Sequence, residues 1–290
     1  MPTREGRRGS GSAALTNIKR YGLGMRPRPQ FECIALLLQG GGALGAYQAG
    51  VYEALAEADL HPNWTAGISI GAINGALIAG NAPEARVDKL RAFWERVTAK
   101  RYCDWSESLF LTKGYAVREW LYQSRCGRLS TTHCSGVFET KPTLIFQVDL
   151  WSARGELPGT LAEVSTRKKE IRYSSRTRAG TDSFKYVQRL SRAMTDLIEK
   201  LPDDLRNCSE VQLLRPVSDH KVYNIAHLIY RARNYEGHSK DYDFSRTSMQ
   251  EHWCAGYQDA VRTLRHPELF QRPSNDEGVF TFDLLRDARE

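Results

Sequence analysis

The 290-residue sequence has six cysteines (Cys33, Cys103, Cys126, Cys134, Cys208 and Cys254), and no CxxC spacing occurs among them. That absence removes a zinc ribbon and a disulfide framework and leaves reduced thiols as the default. No apolar run reaches the roughly 18 residues of a membrane span, and no apolar core of a signal peptide stands near the start. The Arg7-Arg8 pair lacks the apolar stretch that a twin-Arg export signal needs. The expectation is a cytoplasmic protein. Acidic residues are almost missing from residues 1–30, where seven Arg or Lys face Glu5 alone, so +6 of the formal +7 sits there and +1 is left for the remainder. The basic balance therefore describes an appendage and is no nucleic-acid signal for the body. The Gly, Ser, Pro and Arg composition of this stretch reads as a disordered basic tail. Its functional reading is a peripheral contact with an anionic membrane surface, and a solvated leader is the plainer and favoured one.

With 41% apolar and 26% charged residues, the chain has enough material for one large α/β domain or two modest ones. Three short, nearly continuous apolar runs predict buried strands at Phe31–Leu38, Trp64–Ser69 and Thr143–Leu150. Leu44, Tyr47, Val51, Leu55 and Ala58 recur at steps of three and four and predict a helix over Ala43–Asp59. Further helices are expected at Ile70–Ile78 and Val87–Lys100, so residues 31–100 read βαβαα, the opening of a parallel sheet. The later half reads as mainly helical. One amphipathic helix runs from Phe184 to Leu201, and a second starts at a Ser248/Glu251 capping box and reaches Leu264. Asn224–Ile229 fits no pattern clearly, and residues 113–141 are polar and aperiodic, a connector. The expected organisation is a tail over 1–30, an α/β domain over 31–150 and a helical accessory region over 151–290.

Two glycine turns carry the chemistry. Gly40-Gly41-Gly42-Ala43-Leu44-Gly45 follows the first strand and opens a helix, which leaves backbone N–H groups free to stabilise a negative oxygen. Gly67-Ile68-Ser69-Ile70-Gly71 is a GxSxG sequence between strand and helix, where small neighbours keep the Ser69 hydroxyl accessible. Each is weak alone, since GxGxxG also suits a dinucleotide. A dinucleotide site, however, wants an acidic residue at the end of the second strand, and Ser69 stands there. No GK[ST] follows the first turn, so a P-loop is excluded. An oxyanion hole on one turn and a nucleophile on the other account for both motifs and their common sheet edge.

The run Leu36-Leu37-Leu38-Gln39-Gly40-Gly41-Gly42-Ala43-Leu44-Gly45-Ala46-Tyr47-Gln48-Ala49-Gly50-Val51, followed by Ala66-Gly67-Ile68-Ser69-Ile70-Gly71-Ala72-Ile73-Asn74-Gly75, resembles the start of a patatin-like phospholipase domain. The stretch from Phe146 onward is similar to the accessory half of one bacterial branch of that family. The resemblance implies a patatin-like α/β fold and an acyl hydrolase acting on lipid esters through a Ser–Asp dyad, with no His, metal or cofactor. Ser69 would be the nucleophile, Gly67 and Gly71 its elbow, and Gly40, Gly41, Gly42, Ala43 and Gly45 the oxyanion turn. Leu44 stands where the family often has Arg or Lys.

One part of that pattern is missing. The family's Asp lies in an Asp-Gly turn, and no Asp-Gly dipeptide occurs anywhere in this chain. The segment 113–141 that should hold it contains no Asp and is too short for the absent strands, so the sheet is expected to be incomplete, with Phe31–Leu38 and Thr143–Leu150 at exposed edges. Asp149 is the nearest substitute base by chain logic, and a polar strand-end residue is the better reading of it. Asp182 and Asp219 have no motif to place them. His220 and His227, seven apart, lack an acidic or thiol partner in the sequence pattern, and Cys126, His133 and Cys134 make a poor three-ligand set. Tyr230-Arg231-Ala232-Arg233-Asn234-Tyr235 invites a nucleic-acid reading, but Glu236, Asp241 and Asp243 oppose it. A lipid ester hydrolase of impaired activity leads, a non-catalytic interaction protein is the alternative, and a nucleotide-binding enzyme comes third.

Overall fold

Strand β1 (Cys33–Leu38) sits between β2 (Trp64–Gly67) and β3 (Thr143–Asp149), and β4 (Tyr223–Ile229) and β5 (Val279–Phe282) extend the sheet beyond β3. All four pairings are parallel, in the order β2-β1-β3-β4-β5. This is a computed structural model, and it describes residues 29–99, 141–155, 157–218, 220–231 and 240–283. The basic tail through residue 28, most of the 113–141 connector, Asp219, Cys126, His133 and Cys134 lie outside the described residues.

The order of strands corrects the expected edges. β1 and β3 are paired on both sides, and among the described residues the edges are β2 and β5, each four residues long. Short edge strands offer little template for intermolecular pairing. The later half also contributes more than helices, because β4 and β5 belong to the same sheet as β1. β4 escaped sequence reading because Asn224 and His227 interrupt its apolar run. Both are buried, and the Asn224 amide donates to the carbonyls of Leu269 and Gln271 at 2.8 and 2.7 Å.

The helices fall where the periodicity puts them, with shifted ends. α1 (Ala46–Glu57) follows a short 3-10 turn over Gly42–Gly45, α2 (Ile70–Ala79) follows the GxSxG turn, and α3 (Pro83–Val97) begins on a proline. α4 (Leu161–Lys200) is far longer than the Phe184–Leu201 stretch expected, and its start is a full capping box of Thr160 with Glu163. α5 (Ser209–Leu214) is short, and α6 (Arg246–Leu264) is capped by Ser245, not Ser248, whose own amide donates to the Ser245 hydroxyl at 3.2 Å.

Strand alternation divides the packing. Leu36, Leu38, Leu144, Phe146, Val148, Ala226 and Leu228 face a large core that also takes in α1, α6 and Trp94. Helices α1 and α6 meet backbone to backbone: a Cβ on Gly50 would stand 1.9 Å from the Trp253 carbonyl oxygen, and one on Gly256 2.0 Å from that of Tyr47. The opposite face is thinner. There Ala35, Ile145, Tyr223, Ile225 and Val279 pack with Phe184 of α4, whose ring meets Tyr223 edge-on at 5.0 Å. α4 runs antiparallel to the strands. Its Gln188 and Ser191 side chains bond the carbonyls of Lys221 and Val217 before β4, while its first turns reach Ser152 and Asp241 at the carboxyl edge.

Candidate functional site

Both glycine turns leave the carboxyl edge of adjacent strands, since Leu38 pairs with Gly67 at the ends of β1 and β2. That edge is where open α/β folds bind ligands. Ser69 lies there, exposed, at φ 56° and ψ −122°, a conformation that side chains rarely adopt. Four hydrogen bonds hold the turn: Ile68 N–H to Leu38 O at 3.0 Å, Gly71 N–H to Ile68 O at 3.0 Å, and Ala72 and Ile73 N–H to Ser69 O at 2.9 and 3.2 Å. Glycine is required on its far side, because a Cβ on Gly71 would stand 2.3 Å from Leu38 O. On the near side a Cβ on Gly67 would meet Gly71 O at 2.2 Å. The strained serine is thus fixed from both flanks.

The first turn lies directly beside it. A Cβ on Gly40 would stand 3.2 Å from both Ser69 Cβ and Ile68 O. Gly42 has φ +56°, and the carbonyl oxygen of Asp241 lies only 2.2 Å from where its Cβ would be. The same Asp241 oxygen accepts the Ala43 N–H at 3.0 Å. The Ala43 amide, expected among the oxyanion donors, is therefore engaged in this structure. Gly45 sits deeper. It is buried, packed so that a Cβ would meet Ile70 Cγ1 at 2.5 Å and Trp94 at 3.0 Å. Among the described residues, no hydrogen bond engages the amides of Gly40, Gly41 or Gly42. Leu44, in the position often basic in the family, is fully buried in the core.

A chain of buried amides ties the two turns together. Asn74 of α2 donates from Nδ2 to Gly45 O and to Gln48 Oε1, both at 2.9 Å, and Gln48 Nε2 donates to Gln39 O at 2.6 Å. The Gln39 side chain in turn accepts the Leu150 amide at 2.7 Å, and Trp151 Nε1 donates to Gly40 O at 3.0 Å. Sequence reading missed this scaffold. Buried polar residues such as Gln48 and Asn74 on otherwise apolar helices were the available signal.

Asp149 ends β3 and neighbours β1 and β4, with β1 between it and β2. It is 4% exposed, and its carboxylate faces His227 Nδ1 at 4.0 Å. Asp182 lies on α4, away from any motif. The fold does bring acids to His220, whose Nε2 lies 3.6 Å from Asp196 and 3.8 Å from Glu199, all three exposed. His220 and His227 do not come together as a pair: one is on the surface and the other is buried in β4. Among the described residues no helix is long and apolar enough to cross a membrane.

A parallel sheet flanked by helices, with two glycine turns at its carboxyl edge, places the chain among the open α/β folds. Sequence comparison makes this specific. The family profile described as patatin-like phospholipase matches residues 36–207, more than half of the chain, and a second, described as patatin phospholipase, matches residues 171–276. The chain belongs to the patatin-like phospholipase family. No curated protein and no solved structure matches it.

Proposed function

We propose that this protein is a serine acyl hydrolase for lipid esters, with Ser69 as nucleophile and the amides of Gly40, Gly41 and Gly42 as oxyanion donors, working at a reduced rate for want of a positioned base. The observation that carries this reading is the exposed Ser69 at φ 56°, within contact distance of a turn whose Gly40, Gly41 and Gly42 amides carry no hydrogen bond among the described residues. Oγ attacks the ester carbonyl carbon and the carbonyl oxygen gains negative charge, which the amides stabilise. The ester C–O bond then breaks, the alcohol departs with a proton, and water releases the acyl group from Ser69. A positioned base that takes the Oγ proton is worth roughly 10²–10⁴-fold. No Asp-Gly dipeptide supplies one, and the Asp149 carboxylate is buried against His227.

The test is covalent labelling with a fluorophosphonate probe together with hydrolysis of p-nitrophenyl butyrate. Slow labelling lost in Ser69→Ala supports the reading. A wild-type chain inert to both reagents favours the alternative, a non-catalytic member of the family. A contact of the basic tail with an anionic lipid surface belongs to the same proposal and is read by vesicle sedimentation with and without residues 1–30.

A further inference from the structure

We propose that Lys169 and Glu170 of α4 are positioning residues for the glycine turn, acting through Asp241 and Lys240. This rests on reading that turn as the oxyanion hole. The turn is gripped from two sides by groups of the later half of the chain. At one end the Asp241 carbonyl accepts the Ala43 N–H at 3.0 Å and closes over Gly42, and at the other Trp151 Nε1 donates to Gly40 O at 3.0 Å. Neither gripping residue is held by a strand, so something else must fix them.

The first turns of α4 supply that fixation. Lys169 Nζ lies 3.0 Å from the Asp241 carboxylate, which is 12% exposed, and 4.6 Å from the ring centroid of Tyr242. Glu170 forms a close ion pair with Lys240, whose side chain is only 4% exposed and whose Nζ stands 5.5 Å from the Trp151 ring centroid. Arg167 completes the cluster. It pairs with Glu170 at 2.9 Å and donates to the carbonyls of Ser152 and Ala153. Tyr173, one turn further, stacks obliquely on Trp151 at 5.4 Å, and its carbonyl accepts from Gln39 Nε2 at 3.4 Å. Two consecutive residues of one helix thus hold two consecutive residues of the 240–241 segment, and each of the four leads to one end of the turn.

The physical consequence is selective. Partly buried ion pairs of this kind keep a fixed geometry better than exposed ones, and breaking one by removing a partner leaves a charge uncompensated. Burial pulls the Lys169 ammonium pKa down, but the hydrogen bond and charge of Asp241 outweigh it and hold the group above the ordinary lysine value. Lysine therefore stays charged through neutral pH. Freeing the Asp241 backbone would release Ala43 and relax the φ +56° conformation of Gly42, which moves the neighbouring unengaged amides. Donor misplacement on the order of 1 Å can cost about 10²-fold in rate.

The experiment compares Lys169→Met, Lys169→Arg and the double variant Lys169→Met/Asp241→Asn, which removes the pair and leaves no charge unmatched. Two readouts are taken: hydrogen exchange of the Ala43 amide, and kcat and KM for p-nitrophenyl butyrate with Ser69→Ala as control. The expected result is about tenfold faster Ala43 exchange in Lys169→Met and in the double variant, with unchanged exchange in the core of α1. With it kcat falls about tenfold at constant KM, and Lys169→Arg restores both. Unchanged Ala43 exchange overturns the proposal. So does faster exchange with an unchanged Ser69-dependent kcat, since the pairs would then be structural only. If Ser69→Ala retains the full rate, the nucleophile reading fails by itself, and Ala43 exchange still decides whether the ion pairs hold the turn.

Discussion

The indole Nε1 of Trp94 donates to Asn74 Oδ1 at 3.1 Å, and both residues are fully buried. That bond completes the amide of Asn74, whose two N–H groups already serve Gly45 O and Gln48 Oε1. One side chain on the elbow helix therefore fixes the start of α1 and the packing of α3.

Replacing Asn74 by alanine orphans the Trp94 indole and the Gln48 Oε1 acceptor in the core. Each buried group left without a partner costs about 1–3 kcal/mol. The expected outcome is a loss of about 3 kcal/mol, read as a melting temperature lowered by about 6–12 °C. A shift within experimental error would mean that the relay between the two turns is not needed for stability.

Substituting alanine at Gly42 or Gly71 tests the turn geometry itself. At Gly42 the new Cβ meets the Asp241 carbonyl oxygen at 2.2 Å in a φ +56° conformation, and at Gly71 it meets Leu38 O at 2.3 Å. Backbone cannot move aside as a flexible side chain does, so each change should destabilise by more than about 2 kcal/mol in chemical denaturation. Gly180→Ala is the control: nothing lies within 4 Å of its Cβ, and a helical Gly→Ala change stabilises by about 0.5–1 kcal/mol.

The start of α6 carries a pH dependence. Burial raises the Asp243 carboxyl pKa, but hydrogen bonds from Ser248 and Ser245 outweigh it and leave the group below its ordinary value of 3.8. A carboxyl lowered on folding contributes stability above its unfolded pKa, and this is lost as pH falls through the folded value. Denaturation between pH 5 and 2 should therefore show a stability slope at the acid end that Asp243→Asn reduces. An identical slope in the variant would remove Asp243 from the linkage.

Legibility followed burial and locality. β1, β2 and β3 were readable because apolar runs are local signals, and the structure places all three within two residues of the expected ends. β5 was not readable: Val279–Phe282 is four residues long and enters through Gly278 at φ +65°. The first half of α4 hid behind its polarity, although the Thr160/Glu163 box was visible at its start. The Asp241 carbonyl on Ala43 joins residues 198 positions apart through backbone atoms, and no side-chain pattern announces such a contact.

The remaining prediction concerns activity. An oxyanion hole can retain roughly 10³–10⁴-fold rate over water after loss of a catalytic partner. Short activated esters need little proton transfer to the leaving group, so p-nitrophenyl butyrate should be hydrolysed slowly and long-chain phospholipid not measurably. Ser69→Ala should abolish the slow reaction if Ser69 attacks, and leave it if the turn merely activates water. Asp149→Asn should change neither rate, since the carboxylate is buried against His227 and β1 separates its strand from β2. Because the variant keeps size and shape, a lower rate at an unchanged melting temperature would identify Asp149 as a working base. Phospholipid turnover at enzyme-like rates of about 1–10³ per second would show that a base is present and would overturn the impaired-hydrolase reading.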